Sequence, residues 1–356
     1  MKTGWCSHTA RTANLLHGED RPCLIKGKGA LVLKRTVVAV AALMVLMVAA
    51  PASGSYIFEK VGTVGAQFLK IGVGARATAM GEAFVPIADD ASTIYWNPAG
   101  IARISGSEIT LNHSSWPADI SHQFAGAVFS YVTIPGVFAV SIAALQMDPM
   151  RELTANRPEG TGKMFDAGDM ALGLTYARSL TDRFSFGGTL KWLHMGLADE
   201  KAEGFVGDFG TLYDTGFRGV KIGMVVQSLG PGMKFVEQEF PMPVTFKFGV
   251  STNLVDQQWH LLQGAFEFNH PSDGAERVNL GAEYFLKQFE PKLRLALRGG
   301  YRFNRDEEGL TTGFGVEFPF VPIGFQMKPS RCNVDYCYAD MGRLGGSHKI
   351  SVGLAY

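Results

Sequence analysis

The chain has 356 residues, with 33 basic and 33 acidic side chains, 43 glycines, 11% aromatic residues and only 19% charged ones. A formal net charge of zero excludes a nucleic-acid binder built on a basic surface, and the length fits one large domain or two ordinary ones. Abundant glycine and aromatics favour β structure with tight turns and membrane-interface rings over a helical protein.

At the N-terminal end, Lys34 and Arg35 precede an apolar run from Val37 to Ala50, followed by Ala50-Pro51-Ala52. A basic stretch, an apolar stretch of 14 residues and an A-x-A site read as a cleaved secretory leader. A spanning helix needs about 20 residues, so an uncleaved anchor is the lesser reading. Residues 1–30 lie upstream of any ordinary leader, which points to an over-extended start with Leu31 or Val32 as the initiation point. Residues 1–52 are therefore expected to be absent from the mature chain, which then carries 26 basic and 31 acidic residues.

Residues 53–105 lack strand alternation. "GVGARATAMGEAF" is rich in small residues suited to close packing of irregular backbone, and it holds Arg76. In "IADDASTIYWNPAGIA", Asp90 or Ser92 is placed to cap a short helical turn. Asn97 is pushed out of the helical region by Pro98, and Pro98 opens a second turn that Gly100 is expected to end. Two short helices with a break between them are unstable alone. Inside a barrel they make a plug, with Arg76 paired to Asp89 or Asp90. That pair either holds the plug in shape or touches a ligand together with Trp96, Asn97, Pro98 and Gly100.

From residue 106 the sequence alternates with period two. Fourteen segments are expected, near 106–116, 122–134, 136–147, 167–180, 183–195, 205–215, 219–229, 243–254, 258–269, 276–287, 292–303, 310–320, 323–338 and 347–356. Their connections alternate in length. "PADIS", 148–166, 196–204, 230–242, 270–275, "NRDEEG" and "ADMGRLGGS" form a mostly longer, more polar set; "PG", "TD", "GFR", "VDQ", "QFEP" and "VP" form a shorter one. Such parity belongs to an outer-membrane barrel with short periplasmic turns and longer outer loops. The fold class is thus all-β, a transmembrane antiparallel barrel of 14 strands over 106–356 with a partly helical plug in its lumen.

Apolar residues then face lipid: Phe184, Phe186, Leu190 and Trp192 on one strand, Phe246, Phe248 and Val250 on another, Phe314, Val316 and Phe318 on a third. Trp116, Trp192, Tyr301 and Phe303 near the outer rim, with Trp259 and Tyr356 near the inner, suit interfacial girdles. In "KLRLALRGGYRF", Leu293, Leu295, Leu297, Tyr301 and Phe303 share one face, and Arg294, Arg298 and Arg302 the other. The lumen is expected to hold Lys191, Lys247, Glu267, Glu283, Arg294, Arg298 and Glu317. Glu283 and Glu317 flank the arginine strand, so cross-strand pairs follow; they either stabilise the wall or serve a ligand.

Cys332 and Cys337 in "RCNVDYC" have the wrong spacing for a metal or redox pair. On an extended strand they lie roughly 16 Å apart, too far to bond, and a disulfide would need a turn between them. No G-x-S-x-G, H-E-x-x-H or P-loop occurs, "GDFG" at Gly207–Gly210 sits on an alternating strand without companion motifs, and the histidines are scattered. No enzyme activity, cofactor or metal is expected.

"VGARATAMGEAFVPIADDASTIYWNPAGIA" resembles the N-terminal signature of the PorV/PorQ family of bacterial outer-membrane proteins, and "VDYCYADMGRLGGSHKISVGLAY" resembles that family's C-terminal end. The "NPAG" element is similar, more distantly, to FadL-type transporters, fourteen-stranded barrels with an N-terminal lumenal hatch. The resemblance implies the outer membrane of a Gram-negative-type bacterium and two functions. One is a type IX role in protein secretion and surface assembly, with secretion proteins and their cargo as partners. The other is uptake of hydrophobic small molecules. The chain departs from the first in its modest loops, and from the second in an apolar lumen set limited to Phe285 and Leu261. A structural barrel without transport is a third reading.

The C-terminal strand "HKISVGLAY" places Ile350, Val352, Leu354 and Tyr356 on one face and ends on an aromatic residue, the usual signal for barrel insertion machinery. Deleting Tyr356 is expected to lower the amount of assembled, heat-modifiable protein in outer-membrane fractions. Full assembly of the deletion would contradict this reading.

Overall fold

The computed structural model describes residues 62–130, 135–289, 293–320 and 330–356; the expected leader and the first residues of the expected plug lie outside them. Fourteen antiparallel strands form a closed barrel in which chain neighbours are sheet neighbours. They are β1 (Glu108–Trp116), β2 (Ile120–Ser130), β3 (Val137–Met147), β4 (Ala167–Ser179), β5 (Phe184–Leu197), β6 (Glu200–Asp214) and β7 (Lys221–Leu229), followed by β8 (Thr245–Asp256), β9 (His260–Pro271), β10 (Arg277–Phe289), β11 (Leu293–Phe303), β12 (Leu310–Phe320), β13 (Ser330–Asp340) and β14 (Gly346–Ala355). β14 returns to β1 in the register Glu108↔Ala355 to Ser115↔His348, which closes the wall. Ser107 and Tyr356 extend that closure by exchanging backbone hydrogen bonds of 3.0 Å in both directions.

Alternation puts apolar side chains outward and polar ones inward. Leu190, Phe209, Leu297 and Phe314 are more than half exposed on the outer surface, whereas Glu267 and Glu283 are fully buried inside. This inversion of a soluble protein belongs to a wall with hydrocarbon outside it.

One expected loop is absent. Residues 196–204 belong to β5 and β6, which pair from Phe184↔Tyr213 up to Leu197↔Glu200. Only Ala198 and Asp199 turn the chain, with Ala198 at a positive φ of 53°. The charged residues that suggested a loop decorate a hairpin that stays paired with β4 as far as Ala167↔Leu197 and runs past β7, whose last pair is Gly207↔Leu229. Cys332 and Cys337 are free thiols on β13; their odd spacing sends them to opposite faces of the strand.

Four short helical pieces precede β1: a 3₁₀ turn at Gln67–Lys70, α1 at Ala75–Ala79, α2 at Thr93–Trp96 and a 3₁₀ turn at Pro98–Arg103. α1 is built from small residues, so it lies flat against Cys337 and Ala339 of β13. Asn97 is extended, with φ −155° and ψ 103°, and Pro98 starts the next turn, as their order predicts. Gly100 does not end that turn, which runs on to Arg103. Its lack of a side chain serves contact instead, because a Cβ there would strike the Ala88 carbonyl and the Thr93 hydroxyl.

These pieces run down the lumen from one mouth to the other. At the mouth with longer connections, Gly65 N donates to Pro241 O at 3.0 Å, and Lys70 Nζ meets both Asp273 oxygens at 2.9 Å. At the opposite mouth, Arg103 donates to the Arg183 carbonyl at 2.6 Å, beside the turn after β4.

Glycines let the backbones of plug and wall approach each other. Gly81 has a φ of +63°, and a Cβ on it would lie 2.6 Å from Leu280 O and 2.9 Å from Tyr301 N, both backbone atoms of the wall. Gly299 has open space around the same ideal Cβ position. Gly81→Ala is therefore expected to destabilise the plug by about 1–3 kcal/mol and lower the apparent melting temperature in detergent. Gly299→Ala should leave it nearly unchanged. Equal melting of both variants would remove the close-approach argument.

Candidate functional site

Irregular backbone inside a barrel has few neighbours of its own kind to bond, so wall side chains must supply the partners. Glu267 of β9 accepts from Phe84 N at 3.1 Å and Val85 N at 3.0 Å. Ser351 accepts from Ala75 N at 2.6 Å, and Lys349 donates to Gly72 O at 2.6 Å. Gln227 donates to Tyr95 O at 2.6 Å. The plug contributes its own bonds: Trp96 Nε1 to Val73 O at 2.9 Å, and Tyr95 OH to Leu69 O at 3.0 Å. Asn97 Nδ2 ties the plug to itself through Val85 O at 3.1 Å and to β6 through Thr211 O at 3.0 Å.

Around these bonds Phe84, Met80, Ile87, Ile94, Trp96 and Ile101 form a dry cluster, all essentially inaccessible. Trp96, Asn97, Pro98 and Gly100 are thus spent on packing. They do not line the polar cavity at the short-turn mouth.

That cavity, of about 350 Å³, opens at the short-turn mouth beneath the plug. Its plug side is formed by Arg76, Asp89 and Asp90. Arg76 reaches Asp89 at 2.7 Å, Asp90 at 2.8 Å and Glu283 of β10 at 2.7 Å. Burial opposes the charge on Arg76, but Asp89, Glu283 and Asp90 outweigh it and raise its pKa well above the ordinary value. The network continues into the wall: Glu283 to Arg298 at 2.6 Å, Arg298 to Asp335 at 2.6 Å, and Asn333 to Asp335 at 2.8 Å. Asp90 also accepts from Ser92 N at 2.9 Å, which holds the turn entering α2.

The registers Glu283↔Arg298 and Arg294↔Glu317 place both predicted cross-strand pairs. The two pairs differ. Arg298 and Glu283 are buried, whereas Arg294 stands half-exposed at the mouth with contacts of 3.4 Å to Glu317. Phe285 and Leu261, the expected apolar lumen residues, line this same polar cavity. Glu267 lies elsewhere, beneath the turn at Phe84 and Val85.

Several participants escaped the sequence reading. Arg331 and Asp335 sit in "RCNVDYC", a stretch read for its cysteines, where period two would have placed them on the lumen face. Glu82, in the small-residue segment, takes a positive φ of 65°, a conformation disfavoured for a residue with a side chain. It is held by Arg302 at 3.2 Å and Arg305 at 2.7 Å, and Glu308 joins both arginines. No sequence spacing connects these residues. Among the described residues no cluster of three or more His, Cys, Asp or Glu is placed to hold a metal ion.

In comparison with known proteins, residues 58–270 match the family described as Type IX secretion system protein PorV. No curated protein matches the chain in sequence. The fold is similar to that of the Ralstonia pickettii toluene transporter TbuX, with a TM-score of 0.53 and 13% identity over 80% of this chain and 97% of that one. It is similar to the Pseudomonas putida toluene transporter TodX, at 0.52 and 11% over 80% and 97%. A Pseudomonas aeruginosa FadL homologue matches at 0.50 and 11% over 80% and 98%. At such identities the likeness is one of fold, the FadL-like barrel.

Burial opposes ionisation of Glu82, but Arg305 and Arg302 prevail and bring its pKa from the ordinary 4.5 down to about 2. A depressed carboxylate pKa adds stability that is complete above the unfolded value and lost as pH falls through the folded one. Glu82 should therefore contribute on the order of 3 kcal/mol at neutral pH, fading between pH 4.5 and about 2. Glu82→Gln is expected to lower the apparent melting temperature at pH 7 and flatten the acid dependence in that window. Melts followed by tryptophan fluorescence would test this, and an unchanged acid profile would count against the ion cluster.

Proposed function

We propose, from the premise that the chain belongs to the PorV family of type IX secretion system proteins, that it acts in protein secretion and surface assembly as a closed partner barrel and not as the conduit. One observation carries this reading. The lumen is occupied along its length by a plug whose backbone is hydrogen-bonded to the wall and whose core is dry. Passing a protein through this barrel would require breaking those bonds and the charge network around Arg76 together. Removing one partner of a buried ion pair alone costs about 3–5 kcal/mol. The accessible surfaces are then the two mouths and the outer wall, which suit docking of secretion proteins and their cargo.

The location that follows is the outer membrane of a Gram-negative-type bacterium, with the longer connections outside and outer-membrane lipid against Leu190, Phe209, Leu297 and Phe314. Uptake of hydrophobic small molecules finds less support. The 350 Å³ cavity has Phe285 and Leu261 among arginines, carboxylates and amides, a lining that suits polar ligands over hydrocarbons.

Deletion of the protein is expected to leave exported proteins in the periplasm, and affinity purification of the tagged barrel to recover secretion components. Uptake of long-chain acids should be unaffected by the deletion. Normal secretion combined with lost uptake would replace this reading with the transport one.

A further inference from the structure

The cavity at the short-turn mouth has an electrostatic feature that the plug network does not use. Arg294 of β11 and Arg331 of β13 converge on Glu317 of β12, the strand between them. Arg294 Nη1 lies 3.4 Å from each Glu317 oxygen, and Arg331 Nη1 lies 3.5 Å from one. Charge-assisted bonds of this type normally close to about 2.7–2.9 Å, and Arg298 and Arg76 in the same cavity do so. The fork thus sets two guanidiniums around one carboxylate with slack contacts. Both arginine side chains are about half exposed, at 47% and 57%. Each guanidinium carries five donors in a planar fork; among the described residues the ion pairs of both are to Glu317, and Arg331 also acts electrostatically on Glu108 at the same mouth.

A second observation comes from another wall of the cavity. Asn112 of β1 lines it and is 8% exposed. Its Nδ2 donates to Thr110 at 3.2 Å, while its Oδ1 is buried without a hydrogen-bond partner. A buried acceptor left unpaired costs about 1–3 kcal/mol, so it calls for a donor. Asn253 and Gln263 line the same space and extend its amide character. The volume of 350 Å³ fits a small ligand or the end of a longer one.

We infer that this cavity is a binding site for a polar carboxylate: the anionic group lies between Arg294 and Arg331, and an N–H or O–H of the ligand's body meets the Asn112 amide once it turns its closed-off Oδ1 into the cavity. Two sources offer a carboxylate to that mouth, a peptide end and a fatty acid. Both satisfy the arginines. A hydrocarbon tail leaves Asn112 Oδ1 unpaired and desolvates the amides, whereas a peptide-like body supplies the missing donor. Glu317 moves from partner of both arginines to neighbour of the ligand, and the slack contacts let it do so with little lost. The inference does not depend on the secretion reading, since it concerns only what the cavity binds.

The test uses the full-length mature barrel in detergent with isothermal titration. The probes are N-acetylglycylglycine, its C-terminal amide, and decanoate. The carboxylate form is expected to bind and the amide to bind at least about tenfold more weakly, the scale of a lost hydrogen bond to a charged group. Arg294→Gln and Arg331→Gln should each weaken the carboxylate form by about tenfold. Arg343→Gln, at the opposite mouth, should change nothing. Asn112→Leu should weaken N-acetylglycylglycine and leave decanoate unaffected. Heat-modifiability of each variant reports folding. Equal binding of acid and amide, retention of affinity in both arginine variants, or no binding of N-acetylglycylglycine to the parent would each overturn the site. Decanoate binding more tightly through the same arginines would overturn the polar body and assign the fork to fatty acids.

Discussion

Every backbone amide and carbonyl in a membrane barrel must find a partner without help from water, and the rest of this structure follows from that demand. On the wall it is met by closure: β1 and β14 pair along their lengths, and no strand edge faces hydrocarbon. In the lumen it is met by side chains. Glu267, Ser351, Lys349, Gln227 and Thr311 each reach a backbone group of the plug. Polar wall residues are therefore part of the plug's secondary structure in a physical sense. They replace the ladder bonds that short helices and turns lack.

Charge follows the same logic. Arg76 would be costly in a dry lumen unless compensated, and three carboxylates from two plug positions and one wall strand surround it. Through Glu283 and Arg298 the plug is tied to β10, β11 and β13 at once. A displaced plug would leave Glu283 and Arg298 facing each other with one fewer cation among them. The seal and the wall are for this reason a single electrostatic unit. At the mouth the restraint relaxes: Arg294, Arg331 and Glu317 keep long contacts and remain half in solvent, where chemistry with an outside partner is open to them.

Much of the wall was legible from alternation. Segments at 167–180, 292–303 and 310–320 match β4, β11 and β12 within a residue or so at each end. A lipid-facing strand needs apolar residues at every second position, so its pattern is local. The same local rule misread 196–204, because the charged residues at the tip of this hairpin break the apolar alternation although the strands still pair. The plug was legible as a break: Pro98 pushes Asn97 away from helical backbone, and Arg76 has acids close by in sequence. Gly100 misled because turn-ending and space-making glycines look alike in sequence. The abundance of glycine was first assigned to turns. Gly281, Gly300 and Gly313 instead let plug backbone or α1 touch the wall, which becomes visible only when the two surfaces meet.

The sequence alone determined the strand count, the lipid-facing set and the broken plug, because each depends on periodicity or on geometry within a few bonds. That Cys332 and Cys337 are free was decided by the structure, which places both on one unbroken strand. Tertiary structure alone decided that Arg76 answers to Glu283 as well as to Asp89 and Asp90. It also decided that Glu82 is held by Arg302 and Arg305, and that Arg294 and Arg331 form a fork around Glu317. Those partners lie more than two hundred residues apart or on different strands. Their meeting is set by barrel closure and strand register, which no local stretch of sequence encodes.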